Sequence, residues 1–207
     1  MKRLIAIAIL SSISSLNAQS TKGRQITILD LTAPDVVRTS GVIGSEGGVS
    51  STAKPQSLGL DVRFVSSSQS DFRLGDQFAY ELEVRNSGTR PVDFPFSPDL
   101  ASFLPGPDTT VVNIYLQVRR HDQRAVTFGS MMLAGSDSVP GSMHRLQPSD
   151  TLLIRVPAGV SLAGDDVIEF SARGAVPVNV VVTFNGNEEV RWIPAFSKNS
   201  LPFVIRR

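Results

Sequence analysis

The sequence predicts an all-β protein, an antiparallel β-sandwich, on three observations. Side chains alternate over residues 78–85, with Phe78, Tyr80, Leu82 and Val84 on one side and Ala79, Glu81, Glu83 and Arg85 on the other. That period of two is the pattern of a strand with one dry and one wet face. The same alternation returns in 111–119 and 178–184, and Gly, Pro, Asn and Ser interrupt the chain at short intervals between such runs. Beyond the first eighteen residues, no stretch keeps a helical period across three turns. Short strands punctuated by turn residues pack most simply as two facing sheets.

In chain order, residues 1–18 read as a secretory signal peptide. Lys2 and Arg3 form the basic start, 4–10 is an unbroken apolar run, and Ala18 offers the cleavage point. The run is too short to span a bilayer, which needs about 20 residues. Residues 19–57 form an N-terminal segment: one possible strand at 25–31, then a linker rich in Ser, Gly, Thr and Pro. Such a composition buries too little apolar area to offset chain entropy. The sandwich domain is therefore expected over 58–207.

Within it, Leu60, Val62 and Phe64 mark the first strand and 66–70 a polar break. The strand at 78–85 ends at Asn86-Ser87-Gly88, residues that tolerate a tight turn. Residues 92–96 read as a short edge strand, since Pro95 lacks the N–H that a central strand donates. A Pro-rich loop follows at 97–109, then the strand 111–119, a charged turn at 121–124, a return strand at 125–128 and a second long loop at 130–142. Residues 151–156 are a strand, 164–166 a turn and 167–172 a further strand with Ile168 and Phe170 inward. Asn185-Gly186 is a strong hairpin signal, with its return strand over 189–193. The chain closes on an edge strand at 201–205.

Composition narrows the function classes. Loss of Lys2 and Arg3 with the signal, and of no acid, takes the formal charge from +1 to −1. Nucleic-acid partners favour a basic surplus or stripe, which is missing. There are no cysteines, so disulfides, thiol catalysis and thiolate metal sites are excluded. No later apolar run reaches the length of a spanning helix, so no membrane span is expected in the mature chain. The expectation is export through the Sec route to the periplasm or beyond.

Two stretches carry a family resemblance. Phe78-Ala-Tyr-Glu-Leu-Glu-Val-Arg-Asn-Ser-Gly resembles the strand and turn of bacterial extracytoplasmic immunoglobulin-like domains, where an alternating strand ends in Val-x-Asn-x-Gly. Leu146-Gln-Pro-Ser-Asp-Thr-Leu-Leu-Ile-Arg-Val resembles the later Leu-x-Pro-Gly-Asp turn of the same domains, with Ser149 where glycine is usual. Within that group the chain is similar to the proteinase-inhibitor domain of the Bacillus type. The resemblance implies an immunoglobulin-like sandwich and says little about activity, because sandwiches host many functions.

No residue pattern points to catalysis. A Ser-His-Asp hydrolase needs a placed histidine, and His121 and His144 stand in a turn and at a loop end without a Gly-x-Ser-x-Gly elbow. Asp137, Asp165 and Asp166 suit calcium only as ordinary turn acids do. Asp99, Asp108 and Glu169 show no pairing that singles them out for glycoside chemistry. Trp192 alone makes no sugar-stacking row. No cofactor is expected. The candidate contact residues are apolar: Phe103 and Leu104 in the first long loop, and Met131, Met132 and Met143 in or beside the second. Methionine adapts to varied partners, so together these residues predict a protein-binding patch at one sandwich end, with capping of the core as the simpler alternative. The expected function is a non-catalytic binding module for a protein partner in the cell envelope. Two alternatives are an assembly subunit donating strand 25–31 and a protease-inhibitor-like domain.

Overall fold

The computed structural model describes residues 26–33, 59–97, 109–185 and 192–207. Among the described residues the fold is all-β with one helix. Twelve strands and a helix follow in the order β1 (Ile26–Asp30), β2 (Leu60–Ser67), β3 (Asp71–Arg73), β4 (Gln77–Asn86), β5 (Val92–Pro95), β6 (Thr109–Arg119), β7 (Ala125–Ser136), β8 (Met143–Leu146), β9 (Thr151–Gly159), α1 (Gly164–Arg173), β10 (Ala175–Asn185), β11 (Trp192–Phe196) and β12 (Leu201–Arg206). One sheet has the order β1-β9-β4-β2 and a second β3-β12-β10-β6-β7, with β11 beside β10; β5 and β8 form a small third sheet.

The alternating residues point where their period sends them. Phe78, Tyr80, Leu82 and Val84 of β4 are buried, as are Val112, Ile114, Leu116 and Val118 of β6, and Val178, Val180, Val182 and Phe184 of β10. They meet in one shared core across the two larger sheets. Phe64, Phe72, Phe78, Tyr80 and Phe203 form its aromatic centre, with ring centroids 4.6–6.2 Å apart. Each such ring contributes roughly 1.5–3 kcal/mol by leaving water. The Tyr80 hydroxyl, wholly buried, donates to Gly129 O at 3.1 Å, and burial alone pushes its pKa far up. Gly129 sits where β7 bulges against β6, at φ 60°; a Cβ there would lie 3.0 Å from that of Ala158 in the facing sheet. Glycine thus permits both the bulge and the close approach.

The two stretches that carried the family resemblance touch. Asn86, fully buried, donates from Nδ2 to Leu146 O (3.0 Å) and Arg90 O (2.8 Å), and its Oδ1 accepts from Gly88 N (3.0 Å). Its backbone bonds the second turn: Ser149 N donates to Asn86 O, and Asn86 N to Asp150 O. Asp150 closes that turn by accepting from Gln147 N at 2.9 Å, and Ser149 holds φ 75°.

Several expectations are corrected. The sheets are mixed: β1 runs parallel to β9, and β3 parallel to β12. Residues 167–172 are helical. Val167 and Phe170, three apart, share the buried face, while Ile168 is exposed. Ten residues give too few turns for the period to stand out. The helix is held from outside. Arg120 ion-pairs with both Asp166 and Glu169 (2.9 Å to the latter), and Arg173 Nη1 donates to Arg119 O at 2.7 Å. Acids in its first turn and Arg173 in its last suit the helix dipole.

The long loop expected at 130–142 is largely strand, since β7 continues to Ser136. Phe184 pairs with Ile193 and Asn185 with Trp192. A two-residue turn at Asn185-Gly186 would pair Phe184 with Asn187, so the connection is longer; its residues 186–191 lie outside the described set. Nor is 201–206 an edge, because β12 lies between β10 and β3. The signal peptide, the linker and the strand's first residue, Gln25, also lie outside the described residues; the rest of that strand, as β1, pairs with the chain's own β9.

The chain between β11 and β12 stays bonded to β10, Ser197 N donating to Val180 O (2.8 Å) and Asn179 Nδ2 to Asn199 O (3.1 Å), and also meets the other sheet. Asn199 Oδ1 accepts from Phe64 N (2.9 Å) and its Nδ2 donates to Phe64 O (2.8 Å), while Lys198 N donates to Val62 O (3.0 Å). One asparagine side chain therefore takes the place of a neighbouring strand along the β2 edge.

Candidate functional site

The candidate site is the end of the fold where β5, β7 and β8 meet. Ser97 and Ala134 exchange backbone bonds, Ser97 N to Ala134 O at 3.2 Å and Ala134 N to Ser97 O at 2.8 Å. Phe96 N donates to Ser142 O at 2.7 Å. Thr109, where β6 begins, pairs with Ser136, where β7 ends. Ser97 and Thr109, the described residues on either side of 98–108, thus both stand at the root of the 137–142 turn.

That turn is built by serine. Ser142 Oγ accepts from Ser136 N (3.0 Å) and lies 2.9 Å from Ser136 O and 2.7 Å from Val139 O. Ser136 Oγ and Ser138 Oγ share a bond of 2.8 Å. Val139 is exposed at the tip. Gly135 lets β8 cross close by: a Cβ there would stand 2.6 Å from Ser142 O and against the Met143 thioether.

The predicted contact residues divide. Met131 is 4% exposed and belongs to the core. Met132, opposite Asn113, and Met143, opposite Pro95, are half-buried. Phe103 and Leu104 lie outside the described residues. Two neighbours were not among the predicted contact residues: Phe96, half-buried, and His144, whose ring lies 5.8 Å from that of Phe96. The Phe94-Pro95-Phe96 spacing held no signal of this: in a continuous strand Phe96 would share the inward face of Phe94, which packs on Phe184 (5.5 Å), but β5 ends at Pro95 and Phe96 is half-buried.

The other histidine stands at the opposite end. His121 follows the far terminus of β6, where its backbone N donates to Glu169 Oε1 at 2.7 Å. The two histidines are thus separated by the length of β6. Among the described residues, no group of three His, Cys, Asp or Glu is disposed to hold a metal, and no helix is long and apolar enough to cross a membrane. Asp165 and Asp166 serve the helix start.

Electrostatics concentrate on the outer face of the β1-β9-β4-β2 sheet. Arg155 bonds Glu81 Oε1 (2.6 and 2.9 Å) and Asp30 Oδ2 (3.1 Å). Its guanidinium, with Ser66 Oγ, holds the Glu81 carboxyl below its ordinary pKa. Bonds from Thr32, ahead of the Arg155 charge, do the same for Asp30. This ladder ties three strands together and reaches no cleft chemistry.

No protein-family model and no curated protein matches the chain. Among solved structures, Spo0M, a sporulation control protein from Bacillus subtilis, aligns over 72% of this chain and 50% of its own, at 11% identity and a TM-score of 0.37. The alkylpurine DNA glycosylase AlkC of Pseudomonas fluorescens aligns over 72% and 31% respectively, at 11% identity and a TM-score of 0.31. The putative ApaA protein of Bordetella pertussis aligns over 72% and 91%, at 15% identity and a TM-score of 0.27. The chain spans half of the first and less than a third of the second. Likeness this distant carries nothing about function.

Proposed function

We propose that the protein is an exported, non-catalytic binding module of immunoglobulin-like type. Its partner is a protein of the cell envelope, and the contact lies at the end where segments 98–108 and 137–142 emerge. One observation carries this reading: the Ser97–Ala134 bridge and the Thr109–Ser136 pair root both segments side by side. Half-buried Met132, Met143 and Phe96 stand at that end, and Phe103 and Leu104 lie between Ser97 and Thr109 in the sequence. Adaptable apolar side chains on loops held by a rigid scaffold suit protein recognition. The contact between the Asn86 turn and the Leu146–Asp150 turn supports the immunoglobulin-like kinship, since the two resembling stretches form one unit. The test replaces 98–108 with a short Gly-Ser linker and Met132 and Met143 with serine, then compares retention of envelope proteins. Unchanged retention ends the proposal.

A second reading, assembly by a donated N-terminal strand, draws on β1. It is a sheet-edge strand joined to the rest by the connection 34–58. Oligomers that vanish on deletion of 19–57 would support it; a monomer at all concentrations counts against it.

A further inference from the structure

The two edges of the β1-β9-β4-β2 sheet are finished differently. The β2 edge is occupied by Asn199 and Lys198. Along the described β1 edge, Ile26–Asp30 contains no proline, lysine or bulge, and its one charge is Asp30. Its outward face instead shows Ile26 and Ile28, 57% and 65% exposed, and Leu153, the register partner of Ile28, is half-buried beside them.

Parallel pairing decides which backbone groups remain. Leu31 N donates to Arg155 O, with Asp30 in register with Arg155. In a parallel ladder one residue turns both N–H and C=O to its neighbour and the next turns both away. Thr27, Leu29 and Leu31 therefore face β9, while Ile26, Ile28 and Asp30 present theirs outward. No described strand takes them.

We propose that this edge pairs antiparallel with the same edge of a second copy, about a twofold axis, so that the two sheets become continuous. Such an interface must be self-complementary. Of the registers that set outward backbone groups against each other, two bring Ile28 against an isoleucine. One places Ile28 opposite Ile28 and Ile26 opposite Asp30, whose carboxylate Thr32 and Arg155 already hold. The other places Ile26 opposite Ile28 on both sides of the axis, with Thr27 opposite itself. The second covers all the exposed isoleucines with one another, and each Ile26 and Ile28 pair exchanges two backbone hydrogen bonds. This differs from strand donation, because β1 stays on its own β9. It also stands apart from the binding reading, which concerns other residues.

The test is sedimentation velocity on the purified protein across a dilution series. Wild type forms a dimer, and Ile28→Lys weakens association by about tenfold or more, as an edge lysine does. At concentrations low enough to dissociate the wild type, its thermal unfolding stays near wild type, because within one copy the Ile28 side chain points to solvent. The chain has no cysteine, so single-cysteine variants report the register cleanly. Thr27→Cys yields a disulfide-linked dimer under mild oxidation, since facing residues of a non-hydrogen-bonded pair have Cβ atoms close together. Arg63→Cys, on the occupied β2 edge, dimerises as wild type does but forms no disulfide link. A wild type that remains monomeric throughout, a dimer unaffected by Ile28→Lys, or Thr27→Cys linking no faster than Arg63→Cys overturns the proposal.

Discussion

Replacing Asn86 by alanine tests the contact that joins the two resembling turns. Its side chain is fully buried and makes three hydrogen bonds, to Leu146 O, Arg90 O and Gly88 N. The substitution leaves those three backbone groups without their partner. Arg90 is exposed, so water satisfies its carbonyl. Leu146 is itself buried, and Gly88 N keeps a second acceptor in Gly59 O at 2.9 Å. The full desolvation penalty of about 1–3 kcal/mol therefore falls mainly on Leu146 O, with roughly 1 kcal/mol more for the other two bonds. We expect a loss of about 2–4 kcal/mol against a typical total of roughly 5–15 kcal/mol. The assay is urea unfolding, with an unchanged slope required so that the midpoint shift reads stability alone. Ser87→Ala, one residue on and exposed, removes surface bonds to Gly59 O and the Asp61 carboxylate and serves as control at about 1 kcal/mol or less. A loss for Asn86→Ala no larger than for Ser87→Ala would refute the role given to this residue.

Other substitutions probe separate parts of the fold. Ser149→Gly relieves a φ of 75° and is expected to raise stability by about 0.5–1 kcal/mol in the same urea assay; a loss would contradict the strain. Asn199→Ala strips the Phe64 N–H and C=O of their partner. It should cost about 1–2 kcal/mol and speed exchange of the Phe64 amide, while the Val62 carbonyl keeps its bond from Lys198 N. Glu81 and Asp30 have folded pKa values below the unfolded ones. Their contribution is therefore present above the ordinary carboxylate range and fades as pH falls through the folded values. Urea midpoints of wild type and Glu81→Gln should differ near neutrality and converge in strong acid; a constant gap at all pH values would sink this assignment.

The strands with one wet and one dry face were plain in the sequence, because a period of two over eight or more residues has few rivals. Residues 78–85 and 111–119 are buried as their alternation predicts. Where a second signal was needed, the reading failed. Val167-Ile168-Glu169-Phe170 fits strand and helix alike over so short a span; Arg120, forty-six residues away from Asp166, decides it. Glycine and serine at 129–136 resembled a loop, yet Gly129 and Gly135 lie within a strand because neighbouring chain passes too close for a side chain. Parallel partners such as β1 and β9 leave no trace in spacing, since no short turn links them. At the candidate site, the methionines named from the sequence divide, because Met131 turns inward while Met132 and Met143 are half-buried; Phe96 and His144, whose rings lie together there, were not among the predicted contact residues.

Hydrogen exchange of the protein with and without a detergent-solubilised envelope fraction tests the binding end most directly. The account predicts new protection over 92–97 and 132–146, with none gained at the opposite end, over 120–124 and 164–173. Protection gained at the helix end, or at neither end, contradicts it.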